Sequence, residues 1–174
     1  MSIKNIITVP DEILKKVSTQ VEKIGKNEKK LINDLFETMY KFKGIGLAAV
    51  QVGVLKRILV IDVSTGGEKK QPLSFINPTI KKLSDETSIY EEGCLSIPNT
   101  YIEIERPKVC EVEYIDVKGQ IKNLTCDGLL STCLQHEINH LDGKLIIDNL
   151  SKLKRDLIIR KISKSKKSPD RIIV

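Results

Sequence analysis

Apolar residues recur at helical spacing in two long stretches of the chain. Over 27–42 they return every three or four positions, which predicts an amphipathic helix that ends at Gly44. Over 129–141 the same period predicts a second helix, with Asp127 as its candidate N-cap and Gly143 as the residue that stops it. Each stretch therefore carries an apolar face that must pack on other elements.

A third helix is predicted near the C-terminal end of the sequence. Ser151 is its candidate N-cap, and the segment after Lys161 is expected to fray. The stretch 144–149 that precedes this helix is predicted to be extended. The apolar face of the helix is predicted to consist of Leu153, Leu157, Ile158 and Ile162.

Between the first two helices the pattern is that of strands. Residues 57–64 form an apolar run typical of a buried strand, and 73–84 and 86–93 are also predicted strands. The stretch 101–126 alternates between apolar and polar residues and breaks at a hairpin turn, where Gly119 is expected at positive φ. Strands grouped between helices predict an α+β fold. In it, mainly antiparallel sheets pack around the second helix as the central one, with an N-terminal helix and a C-terminal amphipathic helix.

The composition is that of one globular domain without a membrane span. With 174 residues, of which 40% are hydrophobic and 30% charged, the chain is long enough for one core and short for two domains. No apolar stretch reaches the roughly 20 residues that cross a bilayer, and the first residues do not resemble a secretory signal. The four cysteines form no C-x-x-C pair. We therefore expect reduced thiols and a cytoplasmic location, or an organelle matrix of the same redox state.

Positive charge is concentrated at the C-terminal end. Of the net +6, residues 151–174 carry +7 and residues 1–150 carry −1. The single domain thus divides into a body, 1–150, and a basic helix and tail, 151–174. The tail predicts an anionic partner, and the alternative is a solvated helix docked through its apolar face. The tail contains no aromatic residue, so base stacking and sequence-specific nucleic-acid binding are not expected.

The segment QHEINHLDG, residues 135–143, contains the only two histidines of the chain, His136 and His140. Residues four apart on a helix project from one face, so both imidazoles are available to one metal ion. Glu137 lies about 100° around the helix from His136, where a carboxylate reaches a water at that ion without binding the ion itself. The spacing H-E-x-x-H thus predicts two metal ligands and a general base.

A catalytic site of this type needs a third protein ligand, and the chain after the histidines offers few. The position that supplies the third histidine in metzincins is Ile146, and no glutamate follows Glu137 to act as in thermolysin. Asp148 and Asp156 remain as carboxylate alternatives, although Asp156 lies among basic residues.

The cysteines are the alternatives before the histidines. Cys133, one turn before the first histidine, and Cys110 and Cys126, in alternating strands, are expected to be core residues. Cys94 follows Gly93 just after a strand, where a glycine lets the backbone come close to a metal. Cys94 is therefore the favoured third ligand.

Three segments together resemble the peptide deformylases: GIGLAAVQVG at 44–53, EEGCLS at 91–96 and QHEINHLDG at 135–143, in the family's order. The likeness extends from about residue 5 to residue 150 and includes the opening VPDEILKKVSTQV. It implies a hydrolase that removes the formyl group from the N-terminal formylmethionine of new polypeptides and releases formate. The body, 1–150, is then the catalytic domain.

The resemblance also implies the metal site. Cys94, His136 and His140 would bind one divalent metal, with the fourth position open to water. Fe²⁺ is the usual ion of the family, and Zn²⁺, Ni²⁺ or Co²⁺ can substitute for it. Glu137 would take a proton from the attacking water and return it to the leaving amine.

Further residues acquire roles from the resemblance alone. The side-chain amide of Gln51 and the backbone N–H of Leu95 would stabilise the oxyanion. Ile45 and Gly46 would line the substrate cleft, with the Gly46 backbone pairing with the peptide as an added strand. The pocket for the methionine side chain is expected to include Tyr90, Leu129 and Cys133.

Glu92 and Arg106 are expected to form an ion pair between neighbouring strands that holds the cysteine loop. Two solvated charges are the alternative. The chain departs from the family pattern at four positions, which bear on substrate preference and rate: Asn139, Ser131, Thr132 and Tyr101.

Two rival functions compete with deformylation. A metallopeptidase that cuts internal peptide bonds is disfavoured because the downstream third ligand is missing. A ribosome-binding or RNA-binding protein with a vestigial metal site is disfavoured because Glu137 and Gln51 are present. Nascent chains leave the ribosome, whose surface is rich in RNA phosphate, so the basic tail is predicted to contact it by salt-sensitive attraction.

Overall fold

The computed structural model describes residues 2–64 and 69–167. Within these residues the chain forms three α-helices: α1 (Lys26–Lys41), α2 (Gly128–Leu141) and α3 (Lys152–Lys167). It also forms short 3₁₀ helices at Glu12–Lys15, Ala49–Val52 and Ile146–Asn149. In the part of the chain that the structure describes, no helix is both long and apolar enough to cross a membrane.

Seven strands build two antiparallel sheets in the described chain. The larger sheet has the order β1-β2-β3-β6-β7. Its strands are β1 (Gly46–Ala48), β2 (Ile58–Ile61), β3 (Leu73–Leu83), β6 (Val109–Ile115) and β7 (Ile121–Asp127). The smaller sheet is a long hairpin made of β4 (Thr87–Cys94) and β5 (Ile97–Pro107).

The apolar run of β2 explains how the large sheet is covered on both faces. Its side chains alternate between the faces, as the two-residue period of a strand requires. Leu59 and Ile61 join the core formed with α2, whereas Ile58 and Val60 join the core formed with α1. All four residues are buried, which is why the run contains no polar position.

Helix α2 is the central element of the molecule. Ten of its fourteen residues are buried, and it contacts four strands of the large sheet as well as β5 of the hairpin. A surface helix would bury only one face. The α+β fold with mainly antiparallel sheets around this helix is therefore confirmed.

Local signals located the element boundaries well. Both predicted long helices are present within two residues of the expected ends, and Gly119 and Gly143 have φ of 83° and 71°. Asp127 does occupy the N-cap position of α2, but its side chain makes no capping hydrogen bond.

Of the predictions for the C-terminal region, one is wrong and one is only partly right. Residues Ile146–Asn149 form a 3₁₀ helix rather than an extended segment. The predicted apolar face of α3 is only half right: Ile158 and Ile162 pack on the body, whereas Leu153 and Leu157 are 72% and 56% exposed. The side chains that pack on the body are Ile158, Ile159 and Ile162.

The physical reason lies in the surface under α3. The apolar cluster there includes Ile97 of β5, Leu145 just before the 3₁₀ helix and Ile147 within it. Contact with this cluster determines which of two possible apolar faces of α3 packs on the body. The helix also continues to Lys167, beyond the predicted start of the frayed segment, and residues 168–174 of that segment lie outside the described residues.

Candidate metal centre and cleft

The candidate metal ligands come from two elements that meet between the sheets. Cys94 ends β4, beside an irregularity between Gly93 and Cys94 in the pairing with β5, and His136 and His140 lie on α2. One ligand atom from each residue lies within 4.8 Å of the others, and Cys94 Sγ is 3.2 Å from His140 Nε2. Among the described residues, this is the group of potential ligands whose geometry suits a metal ion. It does not include the two downstream carboxylates, Asp148 and Asp156.

Glu92 orients His136 and is itself held by Arg106. Glu92 Oε2 accepts a hydrogen bond from His136 Nδ1 at 2.8 Å, which leaves Nε2 of that ring for a metal. Arg106 donates two parallel hydrogen bonds to the Glu92 carboxylate, one of them 2.9 Å long, and a third to Asn139 Oδ1 at 2.9 Å. The expected Glu92–Arg106 pair is thus confirmed, and it is buried and bidentate. Its link to His136 escaped sequence reasoning because it depends on how the hairpin docks on α2.

The charges at the centre favour a cation. Burial lowers the pKa of His140 well below its usual range, so its ring is neutral at pH 7 and can offer a lone pair. Burial also opposes a charge on His136, but hydrogen bonds with Cys94 and Glu92 outweigh it and raise the pKa of His136 to about 10. A positive charge is therefore stabilised between Cys94 and Glu92. A divalent metal would replace that proton, because rings that bind metals are neutral.

The donor set fits a late divalent metal ion. One cysteine sulfur and two imidazole nitrogens are ligands that Fe²⁺, Zn²⁺, Ni²⁺ and Co²⁺ accept. Nothing in the geometry favours hard, oxygen-seeking ions such as Mg²⁺.

Glu137 lies beside the ligands. Its side chain is 4% exposed, and its Oε2 has no hydrogen-bond partner in the described part of the chain. Burial raises the pKa of the Glu137 carboxyl to about 7, a value suited to both taking and releasing a proton near neutral pH. Gly46 of β1 lies directly against this carboxylate, with room for no side chain between them. Glu137 is therefore available for proton transfer to a molecule in the cleft.

Gln51 is held in one orientation next to the cysteine sulfur. It is 1% exposed, and its Oε1 accepts a hydrogen bond from the Ala48 N–H at 2.8 Å. Its Nε2 donates to Ser96 Oγ at 3.1 Å and lies 3.7 Å from Cys94 Sγ. Leu95, the residue after the cysteine, lines the same cleft. A fixed amide donor and a backbone turn thus flank the candidate metal centre.

A cavity of about 920 Å³ opens beside the centre. Strand β1 forms part of its wall, and in the described chain β1 pairs with another strand only on the side of β2. The other edge of β1 is therefore open to pairing with an extended peptide. The cavity wall includes every residue that the sequence assigned to substrate binding: Ile45, Gly46, Tyr90, Leu129 and Cys133.

Two of the departures noted in the sequence also lie in the wall of this cleft. The ring of Tyr101 covers the backbone of Gly93, its partner across the β4–β5 hairpin, and remains 69% exposed. Thr132 faces the cavity from α2 and is 4% exposed. Neither position has a local sequence signal that would have placed it there.

Comparisons with known proteins agree with the fold and the site. Residues 3–156 match the family model described as polypeptide deformylase. The chain is 54% identical to a peptide deformylase of Pelagibacter ubique over 174 residues, the full length of both. It is 55% identical to one of Rhizobium meliloti over 168 residues, 97% of each chain.

Solved structures give the same result. The crystal structure of peptide deformylase from Ehrlichia chaffeensis in complex with actinonin has a TM-score of 0.91 and 44% identity, and the match covers 97% of this chain and 100% of that one. A peptide deformylase from Legionella pneumophila has a TM-score of 0.89 and 42% identity, with 97% and 100% covered.

Proposed function

The chain belongs to the peptide deformylase family, and on that premise we propose how its residues carry out the reaction. It is a metal-dependent hydrolase that removes the N-terminal formyl group from nascent peptides. We assign Cys94, His136 and His140 as the ligands of one divalent metal, with Fe²⁺ as the native ion and Zn²⁺, Ni²⁺ or Co²⁺ as substitutes. The observation that carries this assignment is the approach of their ligand atoms to within 4.8 Å of one another.

Glu137 is proposed as the general base. When bound, the metal would polarise the formyl carbonyl and lower the pKa of water toward neutrality. The Glu137 carboxylate takes a proton from the water that attacks the formyl carbon and later transfers it to the leaving amine. The pKa of about 7 and the burial of this carboxyl support both transfers. The products are formate and a free α-amine.

Gln51 and Leu95 are proposed to stabilise the tetrahedral oxyanion. Nε2 of Gln51 and the backbone N–H of Leu95 would donate hydrogen bonds to the oxygen as it becomes negative. The hydrogen bond from Ala48 to Gln51 Oε1 supports this role because it fixes which end of the amide faces the cysteine. Donors held in advance need no reorganisation during the reaction.

The peptide is proposed to bind as an added strand along β1. The open edge of this strand supports main-chain pairing at Gly46, with Ile45 beside it. The formylmethionine side chain would occupy the apolar part of the cavity. We assign its pocket to Tyr90, Leu129 and Cys133.

Two substitutions test this function. Glu137→Ala should keep the metal and lower turnover of a formyl-Met peptide by about 10² to 10⁴, because the proton acceptor is gone. Cys94→Ser should lower or change metal content, whereas Cys110→Ser, in a cysteine that is also buried, should not. Formate release and metal analysis of the same samples measure both effects. Full activity in Glu137→Ala, or normal metal content in Cys94→Ser, would contradict the assignments.

The same assay separates the two rivals. A metallopeptidase would cleave an unformylated peptide internally without releasing formate. A ribosome-binding protein with a vestigial site would release no formate and cleave nothing.

We further propose that residues 1–150 form the catalytic domain and that the basic segment 151–174 brings it to the ribosome in the bacterial cytoplasm. In α3 the apolar anchor Ile162 is buried, while Lys154, Lys161 and other basic side chains are exposed. An exposed basic face on an anchored helix supports attraction to RNA phosphate.

Deletion of 151–174 should reduce co-sedimentation with ribosomes at low salt. Because the deletion also removes the buried Ile162, a second variant, Lys154→Glu with Lys161→Glu, keeps the anchor and reverses the charge. Lys26→Glu with Lys29→Glu, two exposed positions on α1, is the matched control. Equal co-sedimentation of all variants would refute the role of the tail.

A further inference from the structure

Two of the four cysteines face each other across neighbouring strands of the large sheet. Cys110 of β6 and Cys126 of β7 are direct partners in the antiparallel register, and β7 forms an edge of the sheet. Their Sγ atoms are 3.3 Å apart, and Cys126 Sγ lies 3.6 Å from the carbonyl oxygen of Cys110. Both thiols are free in this structure, and the candidate metal centre uses neither of them.

The register of the two strands suits a covalent bond between these sulfurs. Residues directly opposite each other in an antiparallel pair have Cα atoms about 4.5–5.5 Å apart. A disulfide joins residues whose Cα atoms are about 4.4–6.8 Å apart, so the backbone is already at the right distance. Rotation about the Cα–Cβ bonds of Cys110 and Cys126 moves the sulfurs together while the strands stay paired.

The contact between the sulfurs also favours a thiolate near neutral pH. A hydrogen bond from the Cys126 thiol, together with one from Ser131, outweighs burial and lowers the pKa of Cys110 to about 7. The hydrogen bond that Cys126 donates, its burial and the nearby charge of Cys110 raise the pKa of Cys126. The pair therefore releases one proton readily and shares the other. A thiolate is the form of cysteine that attacks an oxidant.

The surroundings of the pair restrict it to a small oxidant. Cys110 is fully buried and Cys126 is 6% exposed, and both belong to the apolar cluster between the large sheet and α2. A molecule of the size of hydrogen peroxide fits such an opening, whereas a protein or a bulky disulfide does not. Cys133 of the same cluster differs, because burial raises the pKa of its thiol well above the usual range and the thiol donates to the Ile45 carbonyl.

We propose that Cys110 and Cys126 are a modification site at which hydrogen peroxide oxidises the two thiols to a reversible cross-strand disulfide. Transfer of the shared proton to Cys110 leaves the thiolate on Cys126, the more exposed sulfur. This sulfur attacks one peroxide oxygen, and the O–O bond breaks to give Cys126 sulfenic acid and hydroxide, which takes up the proton that the pair released. The Cys110 sulfur then attacks the Cys126 sulfur, and the S–O bond breaks as hydroxide leaves with the Cys110 proton as water. Two thiols and one peroxide thus give one disulfide and two waters.

The bond would lie at the start of the helix that carries the two histidines. Cys126 directly precedes Asp127, the N-cap residue of α2. A disulfide to β6 would fix the end of β7 at this point and would close the loop between residues 110 and 126. Because a closed loop restricts the unfolded chain, we expect the oxidised protein to unfold at a temperature roughly 5 °C higher.

Peroxide treatment of the Zn²⁺-loaded enzyme, followed by peptide mapping, tests the proposal. Zn²⁺ is chosen because it has no redox chemistry of its own. Trypsin together with a protease that cuts before aspartate puts each of the four cysteines on a separate peptide, and two of these peptides are 109–115 and 123–126. We expect peroxide to join these two peptides through a disulfide that dithiothreitol reverses. A reference peptide with a free thiol, in the same solution, confirms that the peroxide is sufficient.

Three variants separate the two steps. Cys110→Ser should stop at the sulfenic acid of Cys126, which dimedone traps. Cys126→Ser should form neither the sulfenic acid nor the disulfide. Cys133→Ala is the matched control, because it removes another buried cysteine of the same cluster, and it should still form the disulfide.

Several results would overturn the proposal. One is that Cys110 and Cys126 of the wild type stay unmodified while the reference peptide is oxidised. Others are a disulfide that involves Cys94 or Cys133 instead, or sulfinic acid on Cys126 in place of the disulfide. A lower unfolding temperature of the oxidised protein would also count against it, because the native register would then not accommodate the bond.

Discussion

Replacement of Gly46 by alanine tests whether the position of Glu137 controls the rate. Gly46 lies in β1, paired with Ile61 of β2, and faces α2. A β-carbon built on Gly46 would lie 2.5 Å from Glu137 Oε1, 2.9 Å from Glu137 Cδ and 2.8 Å from Cys133 Sγ. The φ of Gly46 is not in the left-handed region, so alanine meets no backbone strain there. The effect of the substitution is therefore steric.

The size of the effect follows from these distances. Ordinary van der Waals contact begins at 3.4 Å, so the Glu137 carboxylate or β1 must move by about 0.9 Å to admit the methyl group. A misplacement of about 1 Å at a reacting group can cost about 100-fold in rate. We expect kcat of Gly46→Ala to fall by roughly that factor. Overpacking of the core should lower the free energy of unfolding by about 1–3 kcal/mol.

The assay is formate release from a formyl-Met peptide, with metal content and thermal unfolding measured on the same samples. Gly44→Ala is the matched control, because its β-carbon would meet first the terminal methyl Cδ1 of Leu95, at 2.8 Å, which can rotate away. We expect this control to stay within about threefold of the wild type, because the reacting groups keep their geometry.

Three results would refute the reasoning. One is a kcat of Gly46→Ala close to that of the wild type. Another is a loss confined to KM, which would indicate obstruction of the peptide rather than displacement of the base. The third is a loss of activity that matches a loss of metal.

Two further predictions concern stability. Arg106→Leu should lower the free energy of unfolding by about 3–5 kcal/mol, because it removes both guanidinium hydrogen bonds from the buried Glu92 carboxylate and leaves it only the one from His136. The same variant should weaken metal binding about 10- to 100-fold. A change below about 1 kcal/mol in urea unfolding would contradict this prediction. A hydrogen bond from Lys56 lowers the pKa of Glu28 from 4.5 to about 2, so the stability from this carboxylate is present above pH 4.5 and lost as the pH falls toward 2. Glu28→Gln should flatten the pH dependence of unfolding in that window, and an unchanged curve would refute the assignment.

Local patterns in the sequence were sufficient for most of the secondary structure. The period of α1 and α2 follows from hydrogen bonds between residues four apart, and Gly119 and Gly143 mark turns because they adopt positive φ. The same local geometry predicted that the two histidines share a helix face. The helix period, the turns and the shared face of the histidines depend only on residues close together in the chain. They can therefore be predicted from the order of the residues.

The packed face of α3 shows where such reasoning ends. Leu153 and Leu157 fit the helical period as well as Ile158 and Ile162, but the first two are exposed. Periodicity identifies apolar faces, and it does not identify the surface that each face meets. The neighbouring cluster around Leu145 decided the outcome, and its position depends on contacts far apart in the sequence.

One part of the candidate site could also be predicted from local spacing, whereas the other part depends on tertiary packing. The H-E-x-x-H spacing determined two imidazoles and a carboxylate on one helix, since helical geometry is set over four residues. Docking of the β4–β5 hairpin on α2 brought the sulfur of Cys94, rather than that of Cys110 or Cys126, to these rings. The same docking turned Glu92 toward His136. These groups are separated by 40 or more residues in the chain. They meet because the β4–β5 hairpin and α2 bury their apolar surfaces against each other, and only the tertiary structure shows how these surfaces dock.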